Sequence, residues 1–209
     1  MTFEKLVTCF QKELPGEFAH REFLPLRGSS QEAIANGATY RNSAVAIVLF
    51  LNAQQQLSTV VIQRPIYNGS HSGQISFPGG KQEHFDFNLQ ATAIRECMEE
   101  IGLQLNSDQF IGTLSQVYIP VSQFLISPFV FYLENFPKTY QPDLREVAQI
   151  HEIDLFKLFQ PESILHLDIP IQQNTVLKDV PHFTQSGIKI WGATALILNE
   201  LKHLLANHI

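Results

Sequence analysis

The residue pattern predicts an α/β sandwich built on a mixed sheet, and three observations predict it. Two runs rich in aliphatic and β-branched residues, Ala44–Leu51 and Leu57–Arg64, face each other across the polar turn Asn52–Gln56 and read as paired strands. A helix-period segment follows and stops at Gly102, with further strand-like runs beyond it. A second helical pattern, Trp191–Leu205, comes late in the chain. Strands separated by helices, with hairpins between, form a layered α/β architecture, although the strand order stays open at this stage.

Taken in order, Phe3, Leu6, Val7, Phe10 and Leu14 repeat at helical spacing until Pro15–Gly16 breaks the pattern. Residues 15–39 mix Pro25, Gly28 and Gly37 with polar residues and read as an irregular arm. Ala44–Leu51 is apolar without interruption, as expected of a strand covered on both faces. Phe110–Ile119 and Phe124–Leu133 read as strands on either side of Pro120 and Ser122, and Pro128 marks an edge strand or a bulge. Val147–Ile153 reads as another strand and Leu155–Phe159 as a helical turn ended by Pro161. No repeat or linker divides the chain. One domain over residues 1–209 is expected, with 1–39 as helix and arm and 40–209 as the core.

Composition narrows the class. The 209 residues are 44% hydrophobic and 16% charged, with sixteen Phe, which fits a folded protein with a large core. The net charge of −6 offers no basic footprint for nucleic acid. Cys9 and Cys97 can build neither a disulfide framework nor a zinc site. The first residues carry acidic side chains and no long apolar run, and Ala44–Leu51 is too short to span a bilayer. A cytoplasmic protein, monomer or homodimer, with no membrane partner is the expectation.

The chemistry concentrates in Gly79–Leu103, GGKQEHFDFNLQATAIRECMEEIGL. At about 100° per residue, Ile94, Cys97, Met98 and Ile101 line one helix face, with Glu96, Glu99 and Glu100 clustered opposite. Three neighbouring carboxylates repel one another unless a cation neutralises them. A solvated helix face explains such a string alone. The double-glycine turn upstream and the closing glycine downstream favour a site for a hard divalent cation.

Gly80, Arg95, Glu96, Glu99, Glu100, Gly102 and Leu103 resemble the Nudix box, Gx5Ex7REUxEExGU, with U an aliphatic residue. The box departs from the pattern at Asp86, which replaces a Glu, at Arg95, which comes one residue late, and at Cys97. The resemblance implies a Nudix-type α/β/α sandwich with a mixed sheet that hydrolyses nucleoside diphosphate derivatives with Mg2+ or Mn2+. It implies Glu96, Glu99 and Glu100 as metal ligands, a backbone carbonyl of Gly79 or Gly80 on the metal, and Asp86 or Glu83 bracing Arg95.

The preceding stretch, with Arg64, Gly73, Gln74 and Phe77–Gly80, resembles the second signature of coenzyme A pyrophosphatases, although Gly69 replaces its Arg. Tyr118–Phe129 and Trp191–Ala195 resemble the later segments of that branch, the last in a packing role. The resemblance implies cleavage of coenzyme A to 3′,5′-ADP and 4′-phosphopantetheine. Arg64 presents a planar fork suited to phosphate and is the candidate for the 3′-phosphate, with Lys81 and Arg41 next. Lys81 and His71 are further candidate substrate contacts, and Gly79 and Gly80 let the backbone approach a ligand closely. Glu99 or Glu146 would take the proton from the attacking water. ADP-ribose or a dinucleotide as substrate, and a non-catalytic ligand sensor, are the alternatives.

Overall fold

The computed structural model describes residues 3–23, 28–67, 71–134, 139–172 and 175–206, of which 170–172 and 175 are described by backbone alone. In chain order the elements are α1 (Phe3–Phe10), α2 (Gly16–His20), α3 (Ser30–Ala35), β1 (Arg41–Leu51), β2 (Leu57–Gln63), β3 (Ile75–Ser76), β4 (Gly79–Lys81) and α4 (Leu89–Ile101). There follow β5 (Phe110–Thr113), β6 (Val117–Ile119), β7 (Phe124–Leu133), β8 (Gln149–Asp154), α5 (Leu155–Leu158), β9 (Ile164–Gln172), β10 (Thr175–Gln185), β11 (Ile188–Ile190) and α6 (Gly192–Leu205).

Among the described residues, β1 to β8 form a mixed sheet with the path β3-β2-β1-β7-β5, while β4 pairs β1, β6 pairs β7 and β8 pairs β2. The β1–β7 pair is parallel from Arg41↔Phe124 to Phe50↔Leu133, and the other pairs are antiparallel. The apolar run of β1 divides by alternation. Ala44, Ala46, Val48 and Phe50 pack with Ala93, Cys97 and Ile101 of α4. Ile47 and Leu49 pack on the opposite face with Leu196, Ile197, Leu201 and Leu205 of α6. Helices therefore cover both faces of the sheet, which is why the strand needs no polar alternation.

Several expectations are corrected. Residues 15–39 are not wholly irregular, since they hold α2, a 3-10 turn at Arg21–Phe23, and α3, whose N-cap Ser29 accepts from Glu32. Phe110–Ile119 is two strands, and the reason lies in Pro128. β7 is an inner strand, not an edge. Pro128 has no N–H to donate, and its partner breaks there: β5 pairs no further than Thr113↔Phe129, and β6 begins at Val117↔Ile126. Met98 is 46% exposed rather than on the buried face of α4.

Residues 164–172 and 175–190, for which the sequence reading offers no element, form the antiparallel sheet β11-β10-β9 among the described residues. Its β10–β11 turn, Ser186–Gly187, has φ values of 51° and 86°, the two left-handed residues of a tight hairpin whose twist suits paired strands. Gln185 fixes the hairpin to the main sheet by accepting from the Asp154 N–H at 3.0 Å and donating to its carbonyl at 2.9 Å.

The segment around α2 is held by polar side chains of α6. Glu200, fully buried, accepts from the Gly16 N–H at 3.0 Å and from the Ser115 hydroxyl at 2.7 Å, and meets His20 Nε2 at 3.1 Å. Asn199 donates to the Ala19 carbonyl at 2.7 Å.

Candidate active site

The site forms where α4 meets Gly79 and Gly80, which open the short strand β4 against β1 rather than forming the expected turn. α4 starts at Asn88, whose side chain accepts from Ala91 at 2.8 Å, and ends at Gly102, in the left-handed region at φ 69°. A Cβ on Gly102 would lie 2.7 Å from that of Gln141, because the next segment crosses the helix end there. That segment donates from Gln141 to the Ile101 carbonyl and from Asp143 to the Glu100 carbonyl, both at 3.0 Å, so it delivers Glu146 to the same end of the site.

The box carboxylates do not share one face. At about 100° per residue, Ala93, Cys97 and Ile101 span an arc of about 80°; Glu100 lies about 20° beyond it, Glu96 about 60° and Glu99 about 120° on the same side. Met98 lies about 60° beyond the other side. Burial follows: the Glu100 side chain is 1% exposed, Glu96 13% and Glu99 58%.

Glycines make room for these carboxylates. Gly79 donates its N–H to Glu100 Oε2 at 2.8 Å. A Cβ on Gly79 would meet the Ala44 carbonyl at 2.3 Å, and one on Gly80 would meet the Glu96 carboxyl carbon at 2.4 Å. The other Glu100 oxygen, Oε1, is buried without a hydrogen bond among the described residues. Its nearest cation, Arg64 Nη2, stands 3.7 Å away, an ion pair too long for a hydrogen bond.

Burial pushes the Glu100 carboxyl up to about 8, opposed by Arg64 and the Gly79 N–H and reinforced by Glu96 and Glu146. Glu96 is raised by burial, against the pull of Arg95, with Glu99 and Glu146 adding to the rise. Acidic repulsion thus converges on one point.

Arg95 organises the rim. Its Nε donates to Asp86 Oδ1 and its Nη2 to Oδ2, each at 2.9 Å, while Nη1 donates to Glu96 and Glu99 at 2.8 Å. Asp86 is therefore the brace, in place of the open choice with Glu83, and Arg95 holds its carboxyl far below the usual range. Glu83 pairs instead with Lys81 at 3.5 Å.

A cleft of about 1450 Å3 opens from this point. It is lined by Arg64, His71, Gly79, Gly80, Lys81, Glu96, Glu100 and Glu146, but among the described residues not by Arg95, Glu99 or Arg41. His71 Nδ1 lies 2.9 Å from Gln74 Oε1, within its own turn. Gly69 lies outside the described residues. The lining also includes Leu177, Val180, Lys189 and Trp191, and the chain before Trp191 carries no spacing signal linking it to the box.

The donor set fits a hard divalent cation: carboxylate oxygens, one of them buried and unpartnered, beside the paired glycines of β4. Among the described residues no three His, Cys, Asp or Glu side chains stand close enough to cage an ion. The fit is therefore that of a cation taking a few carboxylates and completing its shell with substrate and water oxygens.

The chain matches the NUDIX domain family over residues 40–180. It is 30% identical over 138 residues to the mitochondrial coenzyme A diphosphatase NUDT8 of Mus musculus, covering 66% of this chain and 65% of that protein, so it spans less than two thirds of that relative. It is 30% identical over 167 residues to the uncharacterized Nudix hydrolase NudL of Salmonella paratyphi B, covering 78% of this chain and 83% of that protein. A solved MutT/nudix family protein from Enterococcus faecalis superposes with a TM-score of 0.56 at 12% identity, over 99% of this chain and 75% of that one, a likeness of fold.

Proposed function

Because this chain belongs to the Nudix family, we propose that it hydrolyses a pyrophosphate bond in a nucleoside diphosphate derivative, with coenzyme A as the substrate. The observation that carries the reaction is Glu100: a buried carboxylate with one oxygen on the Gly79 N–H and the other unpartnered, beside Glu96 and facing Glu146. The coenzyme A reading is supported by the match to the mouse diphosphatase and by the Arg64, Gly73, Gln74 and Phe77–Gly80 signature.

Glu96 and Glu100 would hold Mg2+ or Mn2+, and Glu99 would join them by rotating out of its exposed pair with Arg95. When bound, such a cation neutralises the pyrophosphate and acts as a Lewis acid. Arg95, fixed by Asp86, positions Glu96. Arg64 and Lys81 bind the pyrophosphate oxygens at the acidic end, and the Gly79–Gly80 backbone lets them approach. Glu146 lines the open cleft and accepts the proton of the attacking water. His71 orients the Gln74 amide toward the substrate.

Purified protein supplied with Mg2+ or Mn2+ and, separately, coenzyme A, dephospho-coenzyme A, ADP-ribose and a dinucleotide tests this by product analysis. Release of 3′,5′-ADP and 4′-phosphopantetheine at the highest kcat/KM is expected. Faster turnover of ADP-ribose or the dinucleotide would replace the substrate and leave the reaction standing. Binding without turnover of any of them would leave a ligand sensor.

A further inference from the structure

Coenzyme A carries a third phosphate, on the ribose, that ADP-ribose and dephospho-coenzyme A lack. A cleft that selects it needs a cation that is not already engaged at the pyrophosphate. The lysine and arginine side chains lining the cleft among the described residues are Arg64, Lys81 and Lys189. Arg64 faces Glu100 at 3.7 Å, and Lys81 faces Glu83 at 3.5 Å. Each already has a carboxylate partner. Arg41 does not line the cleft; it donates to the Ser122 carbonyl at 2.9 Å and lies over the Phe124 ring.

Lys189 differs. It is exposed, and among the described residues no carboxylate lies within 4.0 Å of its ammonium. His182 lies close enough that the Lys189 charge adds to the lowering of its pKa, behind burial as the larger cause. The site is also rigidly placed. Lys189 is the second residue after the Ser186–Gly187 turn, opposite Thr184 on β10, and Gln185 ties that hairpin to Asp154. β11 runs within 8 Å, Cα to Cα, of β3. β3 ends at Ser76, three residues before Gly79. Lys189 thus lines the cleft from the β9–β11 sheet, whereas Glu96 and Glu100 line it from α4.

We infer that Lys189 is the specificity-determining cation for the 3′-phosphate of the nucleotide, at a subsite separate from the pyrophosphate. This rests on the coenzyme A reading. It replaces Arg64, whose place beside Glu100 commits it to the other end of the substrate.

The test compares wild type, K189M and K189R in kcat/KM for coenzyme A, dephospho-coenzyme A and ADP-ribose, and in affinity for 3′,5′-ADP against 5′-AMP by calorimetry. K189M is expected to lose about tenfold with coenzyme A, the lower end for a charge-assisted contact on an exposed lysine. Dephospho-coenzyme A and ADP-ribose should change less than about twofold, and K189R should recover most of the loss. An equal loss on all three substrates, or none on coenzyme A, overturns the inference. A wild type that ignores coenzyme A removes the substrate reading; the subsite is then decided by whether K189M weakens 3′,5′-ADP but spares 5′-AMP.

Discussion

Glu100 is held in a position that its charge opposes. Burial, Glu96 and Glu146 all disfavour its ionised form, while one N–H and a distant guanidinium favour it. Glu100→Gln keeps the volume and removes the negative ligand, so kcat should fall by at least ~10²-fold, comparable to losing one preorganised electrostatic element. Circular dichroism and Tm should show an intact fold, because the neutral amide is easier to bury. Near-normal turnover in a folded Glu100→Gln protein would remove the site assignment. Glu146→Gln separates the proton acceptor from the ligands: a loss as large as that of a box mutation, with the acidic limb of the pH–rate curve flattened, is expected. A loss below threefold, about 0.6 kcal/mol of barrier, would return that role to Glu99. Asp86 answers to a different readout. Its carboxylate is 3% exposed and takes two Arg95 bonds and the Thr92 hydroxyl. Asp86→Ala should cost about 1–3 kcal/mol of stability by urea unfolding, the range for an abandoned buried donor.

At the scale of elements, the β1–β2 hairpin and both long helices were legible because apolar period and glycine punctuation report them directly. What was not legible is what depends on two segments at once. The split of β5 from β6 is caused by Pro128 on another strand, and the exposure of Met98 by how α4 lies on β1. The hairpin β9–β10 carries Pro170 and Pro181 and polar residues that blur the period of two. The box glycines show the same division. Their presence was readable, but what a Gly80 side chain would collide with is the Glu96 carboxyl, brought to it from α4. Gly80→Ala therefore forces the Glu96 carboxyl to move, since 2.4 Å is far below contact distance. Activity should drop at least about tenfold while Tm changes little, and a kcat equal to wild type would show that Glu96 does not need its observed place.

At the scale of the whole molecule, the arm around α2 is joined to α6 by Glu200 and Asn199, and the carboxylate is the part that titrates. The Glu200 pKa is lowered: burial raises it, but His20, Ser115 and the Gly16 N–H outweigh that. A carboxyl depressed in the folded state stabilises fully above its unfolded pKa, roughly 4.3, and loses that contribution as pH falls through the folded value. Tm should therefore drop on acidification below about pH 4.5, more steeply in wild type than in Glu200→Gln. Glu200→Ala, which strands His20 and the N–H groups of Gly16 and Ser115, should cost about 3–5 kcal/mol. The clasp also has a consequence for synthesis. Gly16 and Glu200 are separated by 184 positions, so the ribosome releases the arm long before its partner exists. Until α6 clears the exit tunnel, one face of β1 is bare and the arm has nothing to hold it. Chains stalled before residue 192 should be cut by protease within residues 15–23, and chains long enough to expose α6 should close that window in a single late event.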